Sequence, residues 1–379
     1  VTALRVGLGT TMIEPGLNGG RLDGIGVYTQ ALLEQLPAQG CAVQAYSWPR
    51  ARGRQPGDIT VGRPFKRTFE HATAMDTLFP GFLHRTKVDA DIFHVTDYRV
   101  VRMNCPVVAT LHDALPIKYP EWCNPNARRL KNWLQVKAAK KAQHIIAPSH
   151  FAIPELVECF GVQEKNISVV LQGVDEVWFE PPPAKDMLFT QRVHRLQPGY
   201  FLFVGTLQPR KNIDRVIDAY LALPKRVREE RQLVIVGAPG WRSEQTIERI
   251  AALRKKRERI LWLDKLTSQE QLRHVYHGAG VFVFPSLYEG FGIPVIEAFA
   301  AGVPVVASSA SALPEVSQGA ALEPDPLSVP DISEAMLSLV DDEFLRRRCI
   351  DAGRARAQQL TWRSTARKTA AVYHAVLSR

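Results

Sequence analysis

The chain has 379 residues, more than one hydrophobic core ordinarily supports, so two domains are expected. With 46% hydrophobic and 23% charged residues, its composition excludes a chain dominated by disorder or by membrane spans. The net charge of +10 is spread over both halves, which fits general attraction to anions; no nucleic-acid partner is expected. Cys41, Cys105, Cys123, Cys159 and Cys349 are scattered and form no C-x-x-C pair, implying a reducing compartment and no zinc site. No uncharged apolar run is long enough to cross a bilayer, and residues 1–30 lack a signal-peptide pattern, so a cytoplasmic protein is expected.

Leu4–Leu8 opens the chain as a strand, and Val27 to Leu36 has apolar positions at helical spacing. Between them, Gly19-Gly20-Arg21-Leu22-Asp23-Gly24-Ile25-Gly26 is either a plain turn or a loop whose glycines let the backbone approach a ligand. It lacks the third glycine of a dinucleotide fingerprint. Asp89-Ala90-Asp91 precedes the apolar run Ile92–Val95 at its amino end, and reads as a loop and strand start without a metal ion. After the strand Val107–Thr110, His112 stands at a carboxyl edge, where open α/β sheets bind ligands. A lone histidine there serves either packing or function. From Arg128 to Lys141 run six basic residues, no acidic ones, and Leu130, Trp133, Leu134 and Val136. Such a helix either lies on an anionic membrane surface or turns its apolar side to the core. His144–Ala147 is a further strand, and Pro181-Pro182-Pro183 breaks the pattern as a linker.

The alternation restarts with Tyr200–Val204 and continues through Leu233–Gly237, Ile260–Leu263, Val281–Phe284 and Val303–Ala307, giving a second α/β domain. Gly205-Thr206-Leu207-Gln208-Pro209-Arg210-Lys211-Asn212 follows its first strand. Arg210 and Lys211 together can neutralise a diphosphate; the alternative is a basic helix start, which the helix dipole disfavours. Glu289-Gly290-Phe291-Gly292-Ile293-Pro294-Val295-Ile296-Glu297 follows the strand Val281–Phe284. Its glycines sit where a strand's carboxyl end feeds a helix, with Pro294 opening that helix, and unpaired amides there favour an anion such as a phosphate. Glu297, placed in the first helical turn, would be repelled by phosphate but suits a vicinal diol such as a ribose. Glu289 suits a second sugar. The stretch describes a nucleotide-diphosphate-sugar pocket. Trp362 to Leu377 reads as a closing helix.

The Glu289–Glu297 arrangement resembles the E-x7-E motif of the retaining GT-B glycosyltransferases of family 4. Gly205–Asn212 and His112-Asp113-Ala114-Leu115-Pro116 with Tyr119-Pro120-Glu121-Trp122 resemble further stretches of that family, in the family's order. So do Ile146–Phe151 and Gln172-Gly173-Val174-Asp175, where Gln172 replaces the usual Asn. The resemblance covers about residues 4–36 and 92–377, and residues 45–90 match nothing. It implies two Rossmann-like domains facing a central cleft: residues 1–183 for the acceptor, 184–361 for the nucleotide-sugar donor, and 362–379 crossing back onto the first. It further implies that His112, Arg210, Lys211 and Glu289 are catalytic. Gly24, Gly26, Gly205, Thr206, Lys265, Leu266, Gly290, Phe291, Gly292, Ile293 and Glu297 would bind the donor, and no metal ion or cofactor is needed. The form of the Tyr-Pro-Glu-Trp and Pro-Arg-Lys-Asn stretches implies a GDP-mannose or GDP-deoxyhexose donor, with UDP-sugars the alternative. The implied acceptor is a saccharide or lipid-linked saccharide of a surface polysaccharide, reached from the inner membrane face. A non-catalytic sugar-nucleotide scaffold is the rival reading, against which Arg210, Lys211 and Glu289 argue.

Overall fold

The computed structural model describes residues 3–18, 22–50, 57–78, 85–123, 125, 128–266 and 268–379. The chain divides into two compact units. One is built from the residues up to Gln172 and again from Trp362 to the end; the other principally from Gly173 to Thr361.

The first unit carries β1 (Leu4–Gly9), β2 (Cys41–Ser47), β3 (Arg63–Pro64), β4 (Ile92–Val95), β5 (Val107–Thr110), β6 (His144–Ala147) and β7 (Ile167–Val169). They form a seven-stranded sheet in the order β3-β2-β1-β4-β5-β6-β7, every pair parallel. Residues 92–95, 107–110 and 144–147 are buried throughout, which is why these strands read as continuous apolar runs. The stretch with no recognisable pattern is nonetheless part of this core. Phe65 stacks on Trp48 with ring centroids 4.0 Å apart, and Tyr46 stacks on Phe65 in turn. Beside them the fully buried Glu14 carboxylate accepts from Ser47 Oγ at 2.6 Å and from the amides of Thr60, Val61 and Gly62 at 2.8, 3.0 and 2.7 Å.

The closing helix Trp362–Leu377 belongs to this first unit and packs on the helix Gly24–Gln35. Small side chains, Thr365, Ala366, Thr369 and Ala370, are buried along one face, and Thr365 Oγ1 donates to the Leu171 carbonyl at 2.9 Å.

The chain joins the second unit before the proline run. Val174 donates its amide to the Leu360 carbonyl at 2.9 Å, and Trp178 packs edge-on against Tyr276 at 5.1 Å. Pro181–Pro183 therefore lie inside the second unit, leading into the helix Ala184–His194. This unit carries β8 (Tyr200–Val204), β9 (Leu233–Val236), β10 (Ile260–Leu263), β11 (Ala279–Phe284) and β12 (Val305–Ala307), in the order β10-β9-β8-β11-β12. All pairs are parallel. The chain runs outward from β8 to β10, then returns to the far side of β8, so the strand order reverses between β8 and β11. Beyond the carboxyl ends of such a pair, helices depart to opposite faces and leave a crevice.

Candidate active site

The loops after β8 and β11 bring the predicted charges together. Gly205 donates its amide to the Val236 carbonyl at 2.9 Å, so this amide is engaged with the neighbouring strand. A Cβ at Gly205 would lie 3.6 Å from Lys211 Cε, an ordinary contact that puts this loop beside the Lys211 side chain. Thr206 follows in the open loop, before Leu207 is strapped to the Ala238 carbonyl at 3.0 Å. Pro209–Lys211 then form a single 3-10 turn, ended by Asn212 in the left-handed region at φ 61°. The Asn212 side-chain amide donates to the Pro285 and Pro326 carbonyls at 2.8 and 2.7 Å, stapling the turn to the loop after β11. The helix Ile213–Ala222 starts only beyond this point. Arg210 and Lys211 are thus not the basic helix start considered above, and the conflict with the dipole does not arise.

Both cations converge on Glu289. Arg210 Nη1 lies 2.9 Å from Glu289 Oε2 and donates to the Tyr288 carbonyl at 2.9 Å. Lys211 Nζ lies 2.6 Å from Glu289 Oε1 and 4.7 Å above the Phe284 ring. Glu289 is 7% exposed and Lys211 8%, so the group is largely out of water. Burial by itself would push the Glu289 carboxyl up, but the Arg210 and Lys211 charges outweigh it and hold the group at about 2. The Glu289 amide donates to Ser311 Oγ at 3.1 Å, which orients the loop. Two cations on one carboxylate leave an excess positive charge at low dielectric, which an anion can satisfy.

Gly290, Phe291 and Gly292 lead into the helix Ile293–Ala300. Gly292 takes φ 113°, a conformation that strains any side chain, and a Cβ there would come within 2.6 Å of Leu313 Cδ2, so the turn favours glycine. The Phe291 and Ile293 side chains are buried, leaving their backbone for any ligand. Glu297 is not in the first turn as expected, because the helix begins at Ile293 and places it one turn deeper. There it is 8% exposed, and the Tyr276 hydroxyl from the helix Gln269–His277 lies beside it. Burial raises the Glu297 carboxyl to about 7, against a smaller lowering by Tyr276. Lys265 is exposed and Leu266 half-buried in the turn after β10, with β9 between their strand and β8. No described contact joins them to the Arg210–Lys211–Glu289 group.

In the first unit, His112 Nε2 is 2.9 Å from the Thr96 carbonyl, and Nδ1 is 3.1 Å from the Gln172 side-chain amide. A carbonyl only accepts, so Nε2 carries the proton and Nδ1 accepts from Gln172. Burial lowers the His112 pKa despite the nearby carboxylates of Asp113, Asp23 and Asp97. The ring is neutral with both nitrogens engaged, so it is no free acid or base. Sequence reasoning read Gln172 only as a departure from the family's Asn. Gly24 and Gly26 form the first turn of a helix, not a loop, and the Gly26 amide is taken by the Asp23 carboxylate at 2.8 Å. That carboxylate would repel a phosphate. Gly19, Gly20 and Arg21 lie outside the described residues. Asp89 and Asp91 pair with Arg5 at 2.8 and 2.6 Å. Among the described residues no group of three His, Cys, Asp or Glu side chains is placed to hold a metal ion.

Two parallel-sheet units, with an anion-demanding cluster at a switch point and a buried carboxylate on the following helix, make an arrangement suited to an anionic ligand. Residues 185–356 match the model of glycosyl transferases group 1, and residues 22–177 that of glycosyltransferase family 4. The chain is 30% identical over 287 residues to O-antigen chain mannosyltransferase B of Escherichia coli, covering 74% of each. It is 27% identical over 414 residues to the MMP alpha-(1->4)-mannosyltransferase of Mycolicibacterium hassiacum, covering 94% of this chain and 95% of that one. Among solved structures, Anabaena HepE in complex with UDP and glucose superposes with a TM-score of 0.72 at 14% identity, over 98% of this chain and 100% of that one. The chain belongs to the group 1, family 4 glycosyltransferases, has the GT-B fold, and is a hexosyltransferase.

Proposed function

We propose that this enzyme is a retaining, metal-independent glycosyltransferase that moves a hexose from a GDP-sugar onto a saccharide or lipid-linked saccharide in surface polysaccharide synthesis. The observation that carries the reading is the convergence of Arg210 and Lys211 on Glu289, in the loop that leads to the helix start at Ile293, at the switch point of the second unit. The two mannosyltransferase relatives support mannose as the sugar. In this reading the second unit holds the donor and the first the acceptor. An acceptor hydroxyl oxygen attacks the anomeric carbon on the face from which the diphosphate leaves. The bond from that carbon to the phosphate oxygen breaks, and the departing diphosphate takes the hydroxyl proton. Arg210, Lys211 and the amides at Ile293 stabilise the charge that develops on the leaving group, taking the place of a metal ion. Glu289 meets hydroxyls of the transferred sugar and Glu297 the ribose diol. His112, neutral and fixed, serves as a wall of the first unit's site and not as a proton carrier.

A UDP-sugar is the second reading for the donor, favoured by the fold shared with the UDP-bound HepE. A thermal-shift screen against GDP, UDP, ADP and dTDP, with and without their sugars, separates the two, because a ligand of the folded state raises Tm by mass action. A shift with GDP and GDP-mannose supports the first reading. A shift confined to UDP overturns the donor, and no shift with any nucleotide overturns the site.

The acceptor reading extends to a membrane face. Among the described residues no helix is long and apolar enough to cross a membrane. On the helix Arg128–Ala139, Trp133 is 49% exposed, with Lys137 Nζ 6.0 Å from its ring, an amphipathic pairing that supports contact with anionic lipid. Co-sedimentation with phosphatidylglycerol vesicles, lost in Trp133→Ala, is the expected result; unchanged sedimentation would place the contact elsewhere.

A further inference from the structure

The two cations assigned to the diphosphate are both paired with a carboxylate of the same site. Both oxygens of Glu289 are engaged, Oε2 by Arg210 at 2.9 Å and Oε1 by Lys211 at 2.6 Å. A carboxylate shared in this way mimics the charge and the spacing of phosphate oxygens. The same residue is assigned to the hydroxyls of the transferred sugar, so sugar and cations compete for the lone pairs of one carboxylate.

We propose that Glu289 is an internal competitor for the diphosphate site, which a nucleotide sugar displaces onto its own hydroxyls and which a nucleoside diphosphate product displaces without recompense. This rests on the donor-site reading above. With the full donor bound, Arg210 and Lys211 turn to the diphosphate, and the released carboxylate finds new partners in the sugar. Once the sugar has been transferred, the diphosphate alone faces a buried carboxylate that has lost its sugar partners. Glu289 then draws the cations back and favours product release. Its burial sharpens this exchange, since an unpaired carboxylate at 7% exposure is costly. The device discriminates between donor and product, which present the same nucleotide and the same phosphates.

The experiment is calorimetric titration of GDP and of GDP-mannose into the wild-type enzyme, Glu289→Gln and Glu297→Gln, with UDP and UDP-glucose in parallel. Glu289→Gln keeps the shape and removes the competing charge. It is expected to bind the nucleoside diphosphate about 10-fold more tightly than wild type, the scale of one charged hydrogen bond. Its preference for the nucleotide sugar over the diphosphate should fall, product inhibition should rise, and turnover should drop. Glu297→Gln, which lacks only the diol partner, is expected to bind both ligands more weakly. Equal or weaker diphosphate binding by folded Glu289→Gln overturns the competitor role. If that variant does not fold by circular dichroism, Glu289→Asp carries the test, its shorter carboxylate withdrawn from the cations and its diphosphate affinity raised. Absence of binding by wild type for every nucleotide would instead overturn the donor site itself.

Discussion

The Tyr373 hydroxyl lies 2.7 Å from His94 Nδ1, a buried contact between the closing helix and β4. It continues inward, with His94 Nε2 2.8 Å from Thr110 Oγ1 and the Tyr28 hydroxyl 2.8 Å from the same atom. Burial, aided by the neighbouring His112, holds His94 at about 3, so the ring stays neutral at working pH. Tyr373→Phe keeps the ring's volume and deletes one link. It should cost about 1–3 kcal/mol, the penalty for a buried polar group left unpaired, read as a lower urea midpoint. An unchanged midpoint would show that the helix is held by apolar packing alone.

Lys211→Ala should lower kcat by roughly 100- to 1,000-fold, the usual effect of removing one group that stabilises developing negative charge. Circular dichroism should show the fold retained, since Arg210 still neutralises Glu289. Unchanged turnover in this variant would remove Lys211 from leaving-group stabilisation.

Glu297 makes stability and donor binding depend on pH in opposite directions. Its folded value of about 7 lies above the ordinary 4.5, so the folded state binds the proton more tightly than the unfolded chain does. Its contribution is therefore fully present below about 4.5 and is lost as pH rises towards 7, at about 1.4 kcal/mol per unit. Glu297→Gln cannot ionise, so its Tm relative to wild type should climb between pH 5 and 8. Affinity for a nucleotide with an intact ribose diol should rise in the wild type over the same range, as the ionised carboxylate becomes the better acceptor. The variant should show a flat profile, and a matching slope in both proteins would assign the titration elsewhere.

Gly292→Ala should destabilise the second unit by roughly 1–3 kcal/mol through backbone strain alone, with a further cost from the clash at Leu313. Gly319→Ala is the control, because Gly319 also has a positive φ, of 80°, but no atom lies within 4 Å of its would-be Cβ. Thermal unfolding should rank Gly292→Ala well below Gly319→Ala. Equal losses would mean that Leu313 moves aside and that space is not what requires glycine.

What could be read from the chain were features written locally. Strands β8, β9 and β11 are apolar runs bounded by turn residues, and Glu289 and Glu297 announce themselves by their spacing around two glycines. What escaped was tertiary. The turn that carries Arg210 and Lys211 is set by Asn212 bonding to Pro285 and Pro326, contacts that no local pattern encodes. Gly26 read as a ligand loop because the Asp23 cap turns a glycine-rich segment into a helix start. The fixed tautomer of His112 depends on the Thr96 carbonyl, and the elevated Glu297 on its burial, neither of which a local pattern encodes. Residues 45–90 offered no pattern because their described part is anchored by Glu14, from outside the segment, and by a stack between Trp48 and Phe65, far apart within it.

The hydrogen bond from Val174 to Leu360 has a consequence for how such an enzyme can change. It places the two ends of the segment 173–361 side by side, so that segment enters and leaves through one doorway. The described residues before 122 and after 361 stay with the other unit. The second unit is thus a cassette inserted into the sequence of the first, able to be exchanged whole. A chimaera joined at these neighbouring positions would keep the seat of the final helix, because Tyr373 and its partners all lie outside the exchanged segment.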